Sequence, residues 1–304
     1  MKINVIVTAY NHERYISQCL ESVLEQRGDF QLEVIVGDDC STDNTRKIIE
    51  EFQKKYPKVV SVLPPEKNLG VTKNLKRCLN ACSGEYIAIC EGDDYWIDEN
   101  KLQKQKDFLE IRKDCSMCFS AISLYYEEKN FFEPHHAQAS LKKNTVTIED
   151  LIGNNYIGNF SCCMYRADTI KKLPQSIYDL NTVDWMFNMA CSQFGKIGFL
   201  QDQMSVYRLH SNGTWTGRNI FEQLEDICHY IDVSNKFFDY KYDVLFSQRK
   251  KIIEDEIVRK KALIDGQTND VKGFKDFIEK TNLRIMNVAK TVLRLSKKVF
   301  LKSK

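Results

Sequence analysis

The chain has 304 residues, 43% of them hydrophobic, with a formal net charge of +2 and 11 cysteines. That length holds one large α/β domain, or a domain with an appendage, and supplies ample apolar material for a core. The near-neutral balance lacks the basic excess of a nucleic-acid binder, so no nucleic-acid partner is expected.

The opening residues MKINVIVTAYN carry an apolar run of about five residues, short of the roughly 7–15 of a secretory segment. Nothing approaches the ~18 uninterrupted apolar residues of a spanning helix. A cytoplasmic protein is therefore expected, with its cysteines as free thiols serving as small apolar residues. Cys115-Ser-Met-Cys118 has redox or zinc spacing but no second pair, and reads as two buried residues near a strand.

In chain order, Ile3–Val7 is a β-branched strand, and Glu13–Gln26 places Ile16, Leu20, Val23 and Leu24 on one helical face. Leu32–Val36 is a second strand, after which Ser41 or Thr42 offers an N-cap for a helix carrying Ile48, Ile49 and Phe52. Val59–Leu63 is a third strand, stopped by Pro64-Pro65. Thr72–Cys82 is a helix ended by Ser83-Gly84, and Tyr86–Cys90 is a fourth strand. Beyond it, Glu99–Arg112 and Asp184–Phe194 read as helices, and Met117–Tyr126, Phe160–Tyr165 and Lys196–Tyr207 as strands. From about Asn219 the pattern is helical to the end.

Alternating units of this length predict a mostly parallel sheet flanked by helices, with the ligand crevice beyond the carboxyl ends of the strands. Those ends carry Thr8-Ala-Tyr-Asn11, Gly37-Asp38-Asp39 and Glu91-Gly-Asp93-Asp94, so two acidic doublets converge on one edge. Asp93 and Asp94 at a loop tip suit a hard divalent cation, Mg²⁺ or Mn²⁺, which takes one or two protein carboxylates and fills its shell with water and phosphate oxygens. A solvated acidic turn is the bland alternative; the second doublet on the same edge tips the balance. Each of the three tryptophans, Trp96, Trp185 and Trp215, adjoins a motif, and a broad apolar face with one N–H suits stacking on a sugar or acceptor ring. Core packing is the alternative for each, and at least one is expected to be core. His135-His136 has no partner at ligand spacing and reads as loop.

Thr8-Ala-Tyr-Asn11, Gly37-Asp-Asp-Cys-Ser-Thr-Asp43, Asn68-Leu-Gly70 and Glu91-Gly-Asp-Asp-Tyr-Trp96 occur in this order. As an ordered set they resemble the nucleotide-binding half of the family 2 glycosyltransferases with the GT-A fold, over roughly residues 1–215. Residues 216–304 are left as a C-terminal helical region.

The resemblance implies a hexosyltransferase-type enzyme. It would move a sugar from a nucleotide-diphosphate sugar, by default a UDP-sugar, to a hydroxyl of a glycan or polyprenyl-linked saccharide. Thr8, Tyr10 and Asn11 would line the nucleotide pocket, and Asp39 would accept from a uracil-type N–H with Asp38 close by. Lys73 would lie near the nucleotide. Asp93 would sit by the ribose and metal, and Asp94 would ligate Mn²⁺ or Mg²⁺. Where the family commonly has Asp this chain has Glu91, which either touches the donor or supports the loop. Arg208 and His210 match the family's Tyr-Arg-x-His segment; either could meet the diphosphate, and His210 could complete the metal shell. Asp184, opening a helix, would be the general base of an inverting single displacement, with Asp179 and Asp202 behind it; alone, Asp184 would read as an N-cap.

From Lys280 to Lys304 basic residues alternate with apolar ones at helical spacing and no acidic residue intervenes. This reads as a peripheral membrane-surface element on the inner face of the cell membrane, with a helix packed on the catalytic domain or a homodimer contact as the alternatives. Among rival functions, a sugar nucleotidyltransferase would open with a glycine-rich loop, and Val5–Asn11 has no glycine. A dehydrogenase would need G-x-G-x-x-G. A non-catalytic, membrane-attached sugar-nucleotide-binding protein would keep the fold without turnover, and Asp184→Asn kinetics separate it from an enzyme.

Overall fold

The computed structural model describes residues 1–64, 67–180, 184–213 and 215–264. The basic segment 280–304 lies outside the described residues. The chain divides into two compact units, one holding Met1–Thr147 and Tyr156–His210, the other Ile148–Asn155 and the chain from Ser211.

The first unit opens with three strand–helix repeats: β1 (Lys2–Ala9), α1 (Ile16–Leu24), β2 (Gln31–Asp38), α2 (Thr45–Lys55), β3 (Val60–Val62), α3 (Val71–Ala81) and β4 (Tyr86–Glu91). The strands pair in parallel in the order β3-β2-β1-β4. β1 is central and closed to solvent on both faces, which is why Ile3, Val5, Ile6 and Val7 form a continuous apolar run rather than an alternating one. Its side chains pack under Ile16, Cys19, Leu20 and Val23 of α1, recurring at helical spacing. Burying each aliphatic side chain of this kind contributes roughly 1.5–3 kcal/mol.

The sheet continues through β5 (Tyr95–Trp96), α4 (Lys101–Ile111), β6 (Cys115–Tyr126), β7 (Phe131–Pro134), α5 (His136–Ala139) and β8 (Thr145–Val146). α6 (Ile148–Gly153) belongs to the second unit, and β9 (Cys163–Arg166), α7 (Ala167–Lys172), α8 (Asp184–Cys191) and β10 (Lys196–Leu209) complete the first. Here the order is β4-β9-β6-β10-β5, with β9 antiparallel between β4 and β6, and β10 parallel to β6. β10 is irregular between Leu200 and Ser205, then runs on beside β6 as far as Leu209 against Tyr126. That extension carries Arg208 and His210 to the acidic edge.

Two local expectations are corrected. Ser41 and Thr42 do not cap a helix: α2 begins at Thr45, whose N–H donates to Asp43 Oδ1 (2.9 Å). The strand expected at Phe160–Tyr165 is a 3₁₀ turn over Phe160–Cys162, and only then β9. The turn brings the Ser161 hydroxyl to Asp94, a partner no local pattern reveals. The cysteines are free, and Cys115 and Cys118 are buried strand residues.

In the second unit, α9 (Ile220–Phe237) starts with a reciprocal cap. Asn219 accepts from the Phe221 and Glu222 N–H groups, and Glu222 accepts from the Asn219 N–H. α10 (Asp243–Ile264) buries Leu245, Phe246 and Ile253, and Phe238 after α9 packs on Tyr242 and Phe246. Among the described residues no helix is long and apolar enough to cross a membrane.

Candidate active site

Strand register assembles the site. Asp38 pairs with Ala9 and Glu91 with Thr8, so the ends of β2, β1 and β4 lie side by side. The Gly92 N–H donates to the Thr8 carbonyl (2.8 Å), and a Cβ on Gly92 would fall 2.9 Å from that oxygen and 2.8 Å from His12 Nδ1. Only glycine lets the acidic loop lie this close to β1.

On the β1–β2 side the two loops are laced together. Asn11, in the left-handed region (φ 56°), receives the Thr42 N–H on Oδ1 (2.7 Å) and donates its own N–H to Ser41 Oγ (2.9 Å). The Ser41 hydroxyl in turn donates to Asp38 Oδ1. Asp39 is buried, and its two oxygens accept the Leu69 and Gly70 N–H groups, both at 2.8 Å. Gly70 is at φ 80°, which turns the backbone so that both amides face one carboxylate. Arg77 fixes the same region by donating to the carbonyls of Asp38 (2.9 Å) and Pro64 (2.7 Å). Tyr10 stands 45% exposed over this floor, and Lys73 is exposed in the first turn of α3.

On the β4 side, Asp93 and Asp94 diverge. Asp94 is buried and turned inward: Oδ2 accepts from Asn159 Nδ2 (2.5 Å) and the Ser161 hydroxyl (2.6 Å), and Oδ1 from the Arg208 N–H (2.9 Å). Asp93 faces outward. Its Oδ2 lies 3.2 Å from His210 Nε2 and 3.6 Å from His12 Nε2. Burial opposes ionisation of Asp93, yet the His12 charge and the His210 hydrogen bond hold it below the usual carboxylate range. Burial and the neighbouring Asp93 push Asp94 well up. Burial, then Asp94, Asp93 and Asp184 in turn, push Glu91 well up. Asp184, whose charge adds to that pressure on Glu91, is the first residue of α8.

Arg208, expected at a diphosphate, is packed into the wall. It is 7% exposed, donates from Nε to the Asp93 carbonyl (2.9 Å) and from an Nη to Gln18 Oε1 (2.6 Å), and its guanidinium carbon lies 4.7, 5.2 and 5.6 Å from the Tyr15, Tyr95 and Tyr125 ring centroids. Three aromatic faces and two acceptors stabilise the cation there. Trp96 and Trp185 are 4% and 5% exposed and present no open face. Trp96 donates its indole N–H to the Ser161 carbonyl (2.8 Å) under the Lys101 ammonium (4.4 Å), and is core. Trp215 falls in the second unit. Of the alternative bases, Asp179 is exposed, and Asp202 is exposed and paired with Lys104.

Sequence reasoning missed His12, Arg77, Asn159 and Ser161. His12 directly follows Thr8-Ala-Tyr-Asn11 and was findable from that position. Asn159 and Ser161 carry no motif; only the fold brings them to Asp94. Among the described residues no group of three or more His, Cys, Asp or Glu side chains stands ready to hold a metal. What is gathered is one outward carboxylate in contact with the His210 imidazole, with a second imidazole, His12, at 3.6 Å.

The sequence profile described as Glycosyl transferase family 2 matches residues 4–174, more than half of the chain. The fold and this acidic edge thus belong to a defined class of protein. TuaG of Bacillus subtilis, named as a teichuronic acid biosynthesis glycosyltransferase, is 32% identical over 212 residues, covering 69% of this chain and 80% of that one. A Mycobacterium tuberculosis protein is 33% identical over 213 residues, 70% of this chain but only 60% of its own length. The chain belongs to glycosyl transferase family 2. Among solved structures, S. aureus TarS 1–349 in complex with UDP-GlcNAc superposes with TM-score 0.59 at 24% identity, covering 77% of this chain and 66% of that one. The mannosyltransferase PcManGT of Pyrobaculum calidifontis, solved with GDP-Man and Mn²⁺, gives TM-score 0.59 at 16% identity over 100% of this chain and 81% of that one. At these identities the two structures speak for the shared fold alone.

Proposed function

We propose that this chain transfers a sugar from a nucleotide-diphosphate sugar to an acceptor hydroxyl with inversion, and that the first unit carries the reaction. The observation behind this is the outward Asp93, faced by His210 and His12, at a strand end where Asp94, Asp93 and Asp184 all press on Glu91. The name of the TarS complex makes a UDP-sugar the first donor to try; GDP-mannose is the second.

The laced loops around Asn11, Ser41, Asp38 and Asp39 form a rigid floor for the nucleotide. Each Asp39 oxygen, holding one backbone N–H, keeps a lone pair for a base N–H. Tyr10 supplies an exposed ring above it, and Thr8 and Lys73 border it. The family resemblance implies Asp94 as the cation's ligand, with Asp93 and His210 beside it. Because Asp94 already receives three protein donors, Asp93 is the carboxylate with room for a cation, and Asp94 fixes the loop from below. A single outward carboxylate leaves most of the shell of Mn²⁺ or Mg²⁺ to water and diphosphate oxygens. A cation held there would neutralise charge on the departing diphosphate.

Asp184 takes the proton of the acceptor hydroxyl as that oxygen bonds to the anomeric carbon and the bond to the diphosphate oxygen breaks. No covalent intermediate is needed. Glu91, pressed by three like charges, supports the loop from the strand end. Nucleotide release from a panel of sugar nucleotides, with Mn²⁺, Mg²⁺ or EDTA, tests the reading. Metal-dependent release from one donor, lost in Asp93→Asn and Asp184→Asn, is expected; neither release nor binding of any donor would refute it.

A further inference from the structure

The wall behind Asp93 continues outward into an aromatic hairpin that the donor chemistry does not use. β6 and β7 pair antiparallel, with Tyr125 opposite Phe132 and Tyr126 opposite Phe131. Tyr125 and Phe132 stack at 4.4 Å, and the Tyr125 ring also covers the Arg208 guanidinium. A stack therefore runs from the Arg208 guanidinium through Tyr125 to Phe132, which is 50% exposed. The hairpin is tied to the site at its turn, where Glu127 accepts from the Tyr15 hydroxyl (2.7 Å) and from Arg14 (3.1 Å). Tyr15 in turn packs on His210 at 4.8 Å.

Strand alternation puts Phe131 on the other face, with Tyr126 and the Lys129 ammonium above that ring. Cross-strand aromatic pairing explains why this hairpin is stable, but a half-exposed ring in line with the site asks for a partner. The polar rim beside Phe132 narrows the choice. The Tyr125 hydroxyl donates to the Asn130 amide oxygen (3.1 Å), and the exposed Asn130 lies where sugar hydroxyls could bond to it. The segment Glu127-Glu128-Lys129-Asn130-Phe131-Phe132-Glu133 is net acidic, which repels anionic lipid and acidic glycans. An apolar face with neutral polar groups at its edge matches the C–H face and hydroxyl rim of an uncharged sugar ring.

We propose that Phe132, backed by Tyr125 and Arg208, is the stacking platform for a neutral sugar ring of the acceptor glycan; this rests on the transferase reading above. Phe132 is a specificity residue that touches the acceptor and leaves donor handling alone.

The test applies the full chain to an array of neutral and acidic oligosaccharides and to phosphatidylcholine vesicles containing phosphatidylglycerol. Nucleotide release without acceptor is followed in parallel. Retention on a neutral glycan is expected, weakened about tenfold by Phe132→Ala, equivalent to ~1.4 kcal/mol, and kept by Phe132→Trp. Phe131→Ala should leave it unchanged, and acceptor-free nucleotide release should be the same in all variants. The proposal is overturned if wild type retains no neutral glycan, or if Phe132→Ala retains it equally. It is also overturned if Phe132 governs retention on acidic glycans or vesicles instead. Absence of both nucleotide release and donor binding for every donor, beside intact glycan retention, would sink the transferase reading and leave the platform standing.

Discussion

The two acidic doublets, Asp38-Asp39 and Asp93-Asp94, share a sequence and a sheet edge but have opposite environments. In the first, each carboxylate is met by neutral donors from nearby turns: the Ser41 hydroxyl for Asp38, the Leu69 and Gly70 amides for Asp39. In the second, one carboxylate is saturated by protein donors. The other is left outward between two imidazoles, and Glu91 beside them is pressed by Asp94, Asp93 and Asp184. Hydrogen-bonded carboxylates define a shape, whereas crowded ones keep a concentrated negative field for a cationic partner. The first doublet is suited to holding a neutral base and the second to charge.

The sharpest way to break this contrast is to neutralise the outward carboxylate. Asp93→Asn should lower nucleotide release about 10³-fold while moving the unfolding free energy by less than about 1 kcal/mol. Asp184→Asn should lose a comparable factor, about 10³-fold, as a general base does. If Asp93→Asn instead unfolded the protein with its rate intact, Asp93 would be structural and the contrast wrong.

Asp94→Asn should behave in the opposite way. Its one remaining oxygen serves either the Asn159 and Ser161 donors or the Arg208 N–H, leaving an amide N–H against the other side, and urea unfolding should register a loss of about 2 kcal/mol. An unchanged urea midpoint would mean that Asp94 is not held as described.

Asp39→Asn is a milder version in the first doublet, where only one of two backbone donors loses its acceptor. A loss of about 1 kcal/mol is expected, together with weaker nucleotide binding by equilibrium titration. Retained stability and affinity would show the Asn68-Leu-Gly70 clasp to be dispensable.

The smallest effect serves as a control away from both doublets. Burial and the neighbouring His136 lower His135 to about 4, so the folded protein resists protonating it while the unfolded chain does not. The unfolded state binds more protons between the unfolded value of about 6.5 and 4, so stability falls as pH drops through that window. At pH 5.5 the loss is about 1 kcal/mol. His135→Asn should flatten the dependence of melting temperature on pH there, and an unchanged slope would place the titration elsewhere.

Much of the first four strands was legible, because buried parallel strands and amphipathic helices write their periods into local sequence. Ile3–Val7, Leu32–Val36 and Tyr86–Cys90 fall inside β1, β2 and β4, with the doublets at their carboxyl ends. Beyond residue 100 the sheet becomes mixed and its pairing non-local, so the 3₁₀ turn at Phe160–Cys162 and the extension of β10 to Leu209 left no periodic trace. The burial of Trp96 likewise depends on Ser161 and Lys101 closing over it.

By itself the sequence determined the alternation and which side chains end the strands, since each follows from interactions within a few residues. Which of two adjacent aspartates faces outward was decided only by tertiary structure. The donors that turn Asp94 inward stand 65, 67 and 114 positions away along the chain. The two imidazoles that face Asp93 come from either end of the first unit. Hydrogen bonds over such separations depend on how the sheet is ordered, and no local period encodes that order.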